Sequence, residues 1–307
     1  MSSILTNSAA MTALKSLQAT NTALDTTQSR ISTGLRVGGA SDNAAYWSIA
    51  TTMRSDNKAL GTVQDALGLG SAKVDVAYTG MNSAIDVVDE IKSKLVAARE
   101  PGVDKAKIQS EIGELQNQLT SIASSASFSG ENWLSHDSSA TAYSATKEVV
   151  ASFNRAADGS VSVGTVSVDT SASKLFDANA GASGILDTTF LTTGVGAVTV
   201  SVSTLDITAA NIDDTDIDDM ISQVDGALTS MTTSASDLGA SKGRIDMQTS
   251  FVSNLMDAIE RGVGTLVDAD MTKESTRLSA LQTQQQLGTQ ALSIANSSAQ
   301  SILSLFR

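Results

Sequence analysis

The residues of this chain that could bind a metal or catalyse a reaction are few. His136 is its only histidine and there is no cysteine, so neither a histidine metal cluster nor a Ser-His-Asp triad can be assembled. We expect His136 to be a surface histidine near a turn. Gly38-Gly39 has neither the strand-glycine-helix context nor the lysine of a phosphate loop. The sequence therefore predicts no enzyme, no catalytic, cofactor-binding or metal-ligating residue, and no cofactor.

A run of aspartates near residue 216 raises the question of a calcium site. Its members are Asp213, Asp214, Asp216, Asp218 and Asp219. A calcium loop starting at Asp214 would need glycine at its sixth position and glutamate at its twelfth, where the chain has Asp219 and Asp225. We therefore interpret the run as an acidic first turn that stabilises a helix N-terminus. Asp268 and Asp270 are interpreted in the same way for the last helix.

The overall charge and hydropathy exclude two classes of partner. The net charge of -13 disfavours binding to nucleic-acid backbones and to anionic lipid surfaces. No segment approaches the roughly 18 consecutive apolar residues of a membrane span. The beginning of the sequence has no basic region followed by an apolar region, so no cleavable secretory signal is expected.

The longest regular pattern is an apolar seven-residue period from Tyr46 to Ala98, interrupted only by Asp56 and Gly70. A period of seven held for this length predicts one long helix with a narrow buried stripe that packs against partner helices. Ser41-Asp42 is a candidate cap for its start. Pro101-Gly102 is expected to end it.

Four further segments show helical periods. They are Ala10 to Leu35, Ile108 to Ala126, Ile217 to Leu266, and a last helix that follows Asp270. The first carries Asn21 and Gln28 on its stripe, and the last carries Gln285 and Gly288. Amides in a seam can select the register and partner number of a coiled coil.

The period changes to two between His136 and Leu205. Valines alternate from Val161 to Val168 and from Val198 to Val202. Asp158-Gly159 precedes the first alternating run and is a hairpin signal.

These patterns predict a mainly α protein. We expect a long coiled-coil helical bundle formed by the N- and C-terminal parts, with a small β-rich insertion. The predicted domains are residues 1–40 with 268–307 as a terminal coiled coil, 41–135 with 208–267 as a helical bundle, and 136–207 as the outer insertion.

Three stretches of the chain resemble bacterial flagellin. The first runs from Ser29-Arg30-Ile31-Ser32-Thr33-Gly34-Leu35-Arg36 to Ala40-Ser41-Asp42-Asn43-Ala44-Ala45. The second is Phe128-Ser129-Gly130-Glu131-Asn132-Trp133-Leu134. The third runs from Asp268-Ala269-Asp270-Met271 through Gln290-Ala291-Leu292 to Ile302-Leu303-Ser304-Leu305. The likeness covers roughly residues 1–135 and 210–307, around a variable centre. Because that centre is short, the resemblance implies a short form with a reduced outer domain.

The resemblance implies a structural subunit that assembles, with itself or together with related flagellins, into the extracellular filament used for swimming. It implies that the chain is exported unfolded through the flagellar type III system with the help of an export chaperone and the export gate. Filament cap and hook-junction proteins are its further expected partners. It also places the assembly interface on the terminal helices. The residues expected there are Leu14, Leu17, Leu24, Ile31, Leu35, Leu278, Leu281, Leu292, Ala295, Ile302, Leu303 and Phe306.

Two other functions are compatible with parts of the pattern. A protein of the junction between hook and filament would share the family fold, although it would usually lack such a complete match at both ends. A signalling coiled-coil rod, like that of a chemoreceptor, would share the Ala/Ser/Gln-rich heptads. The β-rich insertion and the lack of a membrane segment argue against the rod.

Overall fold

The computed structural model describes residues 7–140, 143–179, 183–210 and 212–304, with the side chains of 299, 300 and 302–304 excepted. The chain divides into two compact units. The terminal unit comprises Met1–Lys58 and Met256–Arg307, and the central unit comprises Ala59–Leu255. The prediction of a mainly α fold with a small strand-containing insertion is confirmed.

Five α-helices account for most of the described chain. They are α1 (Ser8–Thr33), α2 (Ala44–Ala98), α3 (Lys105–Ser125), α4 (Asp214–Val267) and α5 (Met271–Ser304). The predicted long helix is α2, with 55 residues, and α4 almost equals it with 54. In the central unit the heptad positions of α2, from Leu67 through Val74 and Met81 to Val88, are fully buried. A narrow buried stripe on α2 therefore contributes to the core of this unit.

The start of α2 differs from the prediction of a cap at Ser41-Asp42. Asn43 caps the helix instead, because its side-chain oxygen accepts the N–H of Tyr46 at 3.1 Å. The carboxylate of Asp42 is already occupied: it accepts the N–H groups of Gly38 and Gly39 at 2.9 and 3.2 Å. Asp42 thus stabilises the preceding turn, and the helix starts one residue later than a cap at Asp42 would require.

Among the described residues, eight strands lie between α3 and α4. They are β1 (Ser127–Phe128), β2 (Glu131–Asn132), β3 (Ser135–His136), β4 (Thr146–Arg155), β5 (Val161–Asp169), β6 (Phe176–Asp177), β7 (Phe190–Leu191) and β8 (Thr199–Val200). The predicted hairpin is confirmed, since β4 pairs antiparallel with β5. Gly159 occupies its turn with a φ of 86°, a conformation that favours glycine.

The second alternating run does not form the strand that its pattern indicated. Only Thr199–Val200 of this run forms a paired strand, and its partner is Phe190–Leu191. Val202 begins a single 3-10 turn that ends at Thr204. Val200 and Val202 are nevertheless both buried, so an alternation of valines reported burial here rather than strand structure.

Strand β4 lies directly on α2 at Gly70. A Cβ atom at this glycine would be 2.3 Å from Cγ1 and 2.7 Å from Cγ2 of Val149. These distances are far shorter than any van der Waals contact, so the missing side chain makes the close approach of strand and helix possible. The interruption of the apolar stripe at Gly70 therefore has a structural cause.

The end of the insertion, from Val202 to Ile207, is packed against α3. The side chain of Gln116 donates to the carbonyl oxygens of Val202 and Leu205, both at 3.1 Å. Gln109 donates to Leu205 O at 3.0 Å and accepts the N–H of Ile207 at 2.9 Å. Two glutamines on one helix face thus satisfy the backbone of a segment that has no sheet partner.

Asp177 is a buried carboxylate inside the insertion. It accepts hydrogen bonds from the N–H groups of Ser138 and Asn179, both at 3.0 Å, from the Ser183 hydroxyl at 2.6 Å and from Lys174 Nζ at 3.0 Å. Burial by itself would raise the pKa of Asp177, but the donors from Ser138, Ser183 and Asn179 prevail and hold it far below its ordinary range. The carboxylate therefore ties together three separate stretches of the insertion in its charged form.

Candidate assembly interface

The terminal unit is built on an antiparallel pair of helices, α1 and α5. Three polar contacts fix its register. Asn7 Nδ2 donates to Ala295 O at 2.9 Å, Gln285 Nε2 donates to Asn21 Oδ1 at 2.8 Å, and Arg30 Nη1 lies 3.3 Å from Glu274 Oε1. Residue numbers fall along α5 as they rise along α1, which makes the pair antiparallel. The amide link of Asn21 agrees with the prediction that amides in the seam select its register.

Most of the predicted interface residues face the seam between these two helices. Leu24 is buried; the partly buried members are Leu17, Ile31, Leu278, Leu281, Leu292 and Ala295. Gly288 lets the helices approach closely, since a Cβ there would lie 3.2 Å from Cδ1 of Leu17. These side chains are covered mainly by the other helix of the same chain. They therefore stabilise the α1–α5 pair, which a neighbouring copy would then contact.

Four large apolar side chains of the pair point to solvent. Leu14, a predicted interface residue, is 46% exposed. Met11, Leu287 and Ile294 were not predicted, and they are 64%, 59% and 68% exposed. The sequence contained a signal for the last two. Leu287 and Ile294 are seven residues apart, and each directly precedes a seam position.

Three of the predicted residues cannot be placed. The side chains of Ile302 and Leu303, and all of Phe306, lie outside the described residues. Their contribution to the interface stays a prediction.

Glu274 is a buried carboxylate in the first turn of α5. Its side chain is 8% exposed, and that of its ion-pair partner Arg30 is 27% exposed. Thr27, one turn before Arg30, is buried as well. A buried charge pair of this kind costs free energy if one partner is removed, and it therefore discriminates against other alignments of the two helices.

Within the terminal unit, the loops that follow α1 and α4 are joined by hydrogen bonds. Leu35 and Asp268 form an antiparallel bridge, and Ala269 N–H donates to Gly34 O at 2.8 Å. The guanidinium of Arg36 donates to Leu266 O at 2.8 Å, at the C-terminal end of α4, where a cation is favoured. Leu35, a predicted interface residue, packs here against a small core.

That core consists of buried and partly buried apolar side chains from both loops and both long helices. Its members are Leu35, Val37, Ala50, Met53, Ile259, Val263, Leu266 and Val267.

Threonine hydroxyls on the surface of α1 bond to their own helix. Each donates to the carbonyl oxygen four residues earlier, at 2.8 to 3.0 Å. They belong to Thr12, Thr20, Thr22, Thr26 and Thr33. The hydroxyl proton is thereby used within the helix.

The acidic run lies at a helix N-terminus, as predicted. Helix α4 begins at Asp214, and Asp213 caps it by accepting the N–H groups of Thr215 and Asp216, both at 3.0 Å. The run also holds the loop before it: the Asp219 carboxylate accepts the N–H of Thr193 at 2.6 Å.

Two of the other aspartates in the run bind an arginine. The carboxylate of Asp218 accepts two hydrogen bonds from Arg99, at 2.8 and 3.1 Å, and Asp214 lies 2.9 Å from the same guanidinium. The hydrogen bond from Arg99 lowers the pKa of Asp218. In the last helix, Asp270 caps by accepting the N–H of Thr272 at 3.0 Å; Asp268, interpreted in the same way, belongs to the bridge with Leu35 instead.

His136 is not the surface residue that was predicted. It is partly buried and its ring stacks on Tyr143, with centroids 4.6 Å apart. Burial and the nearby charge of Lys174 lower its pKa. A histidine in β3 is covered because the insertion folds back over it, which its position near a turn did not reveal. Within the described ranges, no three His, Asp or Glu residues are grouped so that they could hold a metal ion, and none of the helices is apolar over a stretch long enough to cross a membrane.

Comparisons with known proteins agree with this architecture. The bacterial flagellin N-terminal helical region matches residues 4–139, and the bacterial flagellin C-terminal helical region matches residues 221–306. Flagellin C of Rhizobium meliloti (strain 1021) is 56% identical to this chain, and a flagellin of Brucella melitensis biotype 1 is 50% identical; each alignment covers 100% of both chains.

Flagellin A of Rhizobium meliloti (strain 1021) is longer. It is 48% identical, and its alignment also covers 100% of both chains but extends over 396 positions, against the 307 residues here. At least 89 of those positions therefore have no counterpart in this chain, as expected of a short form.

These relatives are named flagellins, rather than junction proteins or signalling rods. Matches to both terminal regions, together with full-length relatives at about half identity, establish that the chain belongs to the bacterial flagellins, the structural and non-enzymatic subunits that assemble into the extracellular filament of the flagellum.

Proposed function

We propose that copies of this chain join through the terminal helices, with the solvent-facing side of the α1–α5 pair as the contact surface. The observation that carries this proposal is the exposure of four large apolar side chains: Met11 and Leu14, three residues apart on α1, and Leu287 and Ile294, seven residues apart on α5. Large apolar side chains exposed on one face of a helix are characteristic of surfaces that a partner covers. The predicted residues in the seam then act by building the pair, and Leu14 acts in the contact itself.

The same proposal gives the three predicted domains distinct tasks. Residues 1–40 with 268–307 form the inner layer of the filament, and residues 41–135 with 208–267 surround it. Residues 136–207 face the solvent. An outer part whose size is free to vary would accommodate the positions of Flagellin A that have no counterpart here, since filament contacts would constrain the length of the helices but not that of an outer insertion.

We also infer that the chain leaves the cell unfolded through the flagellar type III system. Its composition suits such a route, because no cysteine and a single proline leave no disulfide and little slow isomerisation to delay refolding at the far end. An export chaperone, the export gate, the filament cap and the hook-junction proteins are the partners that this route requires. Related flagellins are candidates for joint assembly.

The contact surface can be tested with a double variant, Leu287→Ser with Ile294→Ser. Both side chains are exposed in the single chain, so the α1–α5 pair should keep its structure. The variant can no longer bury these two apolar side chains against a neighbouring copy. The critical concentration for polymerisation should therefore rise at least about tenfold, since burial of half of one such side chain contributes about 1 kcal/mol. The measurement is elongation of wild-type seeds, followed by sedimentation.

Gln286→Ser with Gln290→Ser is the matched control. It changes two exposed polar residues of the same helix and removes no exposed apolar side chain, so elongation should match that of the wild type. A Leu287/Ile294 variant that elongates as the wild type does would show that this face is not the contact surface.

A further inference from the structure

His136, the only histidine of the chain, lies where three stretches of the insertion between α3 and α4 meet. It belongs to β3 and is the parallel partner of Asp177 in β6. The N–H of Ala178 donates to His136 O at 3.1 Å and extends this pairing. The imidazole stacks on the ring of Tyr143. A change in the charge of this one ring therefore acts on all three stretches.

The surroundings of the ring suit a neutral imidazole. Nε2 of His136 is buried and has no hydrogen-bond partner among the described residues. In the neutral form one ring nitrogen carries no proton, whereas both nitrogens donate in the imidazolium. A buried cationic N–H without an acceptor costs more free energy than an unpartnered neutral nitrogen. Protonation therefore destabilises the closed arrangement around His136.

The charges near the ring do not remove this cost. The titratable and charged groups around it are Lys147 of β4, Lys174 before β6, Asp137, Asp177 and the stacked Tyr143. The carboxylate of Asp177 is already bonded to the four donors described above, and Asp137 accepts the N–H and the hydroxyl of Ser139 at 2.9 and 2.5 Å. Burial and the charge of Lys174 prevail over the two aspartates, so the pKa of His136 is lowered.

We propose that His136 is an acid-sensitive switch of the insertion: in mild acid its ring takes up a proton, separates from Tyr143 and lets the β3–β6 pair open. Histidine is the side chain whose ordinary pKa lies in this range, and the chain has only one. The switch is a property of the single chain, and it does not depend on how copies assemble.

The opening is limited by an apolar anchor next to the switch. Leu134 O accepts the N–H of Leu175 at 2.7 Å, and both leucines are fully buried. Leu134 lies against α2, because a Cβ at Gly80 would be 2.8 Å from its Cδ1. Neither leucine titrates. The β3–β6 pair can therefore open while the insertion stays attached to the helices.

The direction of the pH effect follows from proton binding. The open insertion exposes His136, which then has its ordinary pKa of about 6.5, and the closed insertion lowers that value. The stability that closure contributes is therefore complete above about pH 6.5 and is lost as the pH falls below it. One proton changes the opening equilibrium by at most about eightfold between pH 7.0 and 5.5. Asp177 does not contribute in this range, since its unfolded pKa is about 3.9.

Hydrogen exchange of the full-length monomer at pH 7.0 and 5.5 measures the opening. Each rate is divided by that of an unstructured peptide at the same pH to give a protection factor. The protection of the Ala178 N–H should fall about three- to eightfold in acid, while that of Leu24 in α1 should not change. At pH 5.5 Ala178 should also be less protected than Ile112 of α3. Equal protection of Ala178 and Ile112, or no fall at Ala178, would overturn the proposal.

The variant His136→Phe keeps a ring that can stack on Tyr143 but cannot take up a proton. Its protection at Ala178 should be the same at both pH values. A fall as large as in the natural chain would show that another group is responsible, and would refute the switch.

Nuclear magnetic resonance titration of the single imidazole tests the same proposal without a change in the ring. The pKa of His136 in the folded monomer should lie below 6.5, and a value at or above 6.5 would refute the switch. Lys174→Gln should raise this pKa toward its ordinary value because it removes the facing cation. The control Lys107→Gln removes an exposed lysine of α3 and should leave the pKa of His136 unchanged. Equal shifts in the two lysine variants would contradict the proposed role of Lys174.

Discussion

Gly68 and Gly70 lie two residues apart in α2, yet only the replacement of Gly68 by alanine should stabilise the protein. A Cβ at Gly68 has no atom within 4 Å, whereas a Cβ at Gly70 would lie 2.3 Å from Val149 Cγ1. Both replacements gain about 1 kcal/mol of helix propensity. Only Gly70→Ala also overpacks the contact with β4, which costs about 1 to 3 kcal/mol.

The expected outcomes are therefore distinct. Gly68→Ala should stabilise the monomer by about 1 kcal/mol, which raises Tm by about 2 to 4 °C in a unit of this size. Gly70→Ala should be neutral at best and destabilising by up to about 2 kcal/mol. Urea unfolding followed by circular dichroism measures both changes in the free energy of unfolding. The comparison requires that the slope of this free energy against urea concentration is the same in each variant.

A double-variant cycle tests the named contact. Val149→Ala alone removes two buried methyl groups and should cost about 1.6 kcal/mol. In the presence of Val149→Ala the alanine at residue 70 has room, so the two replacements should couple favourably by at least about 1 kcal/mol. Equal shifts for the two glycine variants, or strict additivity with Val149→Ala, would refute the contact between β4 and Gly70.

Three further outcomes are expected. Arg30→Ala should destabilise the α1–α5 pair by about 2 to 4 kcal/mol because it leaves the buried carboxylate of Glu274 unpaired. Glu274→Gln should destabilise it less because the new side chain is neutral. Hydrogen exchange of the α1 amides measures the difference between the two variants. The pKa of Asp177 is lowered by folding, so the stability it contributes is complete above its unfolded pKa of about 3.9 and is lost as pH falls below that value; Asp177→Asn should flatten the acid limb of the stability curve, while the exposed Asp65→Asn should not. Because each subunit carries a net charge of -13, filament elongation should accelerate between about 0.01 and 0.15 M salt as repulsion is screened; a rate that is constant or falls over this range would contradict the expectation.

The sequence predicted the parts of the fold that depend on a repeated local pattern. The seven-residue period specified α2 almost to the residue, and the Asp-Gly turn specified the β4–β5 hairpin. It was wrong where the outcome depended on competition between neighbours: Asp42 binds the turn before α2, which leaves the cap to Asn43. The alternation from Val198 to Val202 reported burial under a loop, which periodicity does not distinguish from a strand.

The candidate interface also depends on which helices are neighbours. The predicted interface residues form the stripe with the most leucines, and most of them are covered in the α1–α5 seam of a single chain; their part in assembly stays a prediction. Met11, Leu287 and Ile294 are apolar positions outside the seam. The period of one helix does not show which of its apolar residues face another helix of the same chain and which face solvent, because that depends on how α1 packs against α5.

The threonines of α1 also affect the free energy that is needed to remove water from its surface. A free hydroxyl covered by protein loses its bond to water, and it costs free energy unless the partner supplies an acceptor. The hydroxyls of Thr12, Thr20, Thr22, Thr26 and Thr33 already donate to backbone oxygens of their own helix, so a subunit that covers them need not match their protons. Such a helix is water-compatible when alone, and it loses little hydration enthalpy when neighbours displace the solvent. It can therefore meet different surfaces on its several sides without a dedicated polar partner for each threonine.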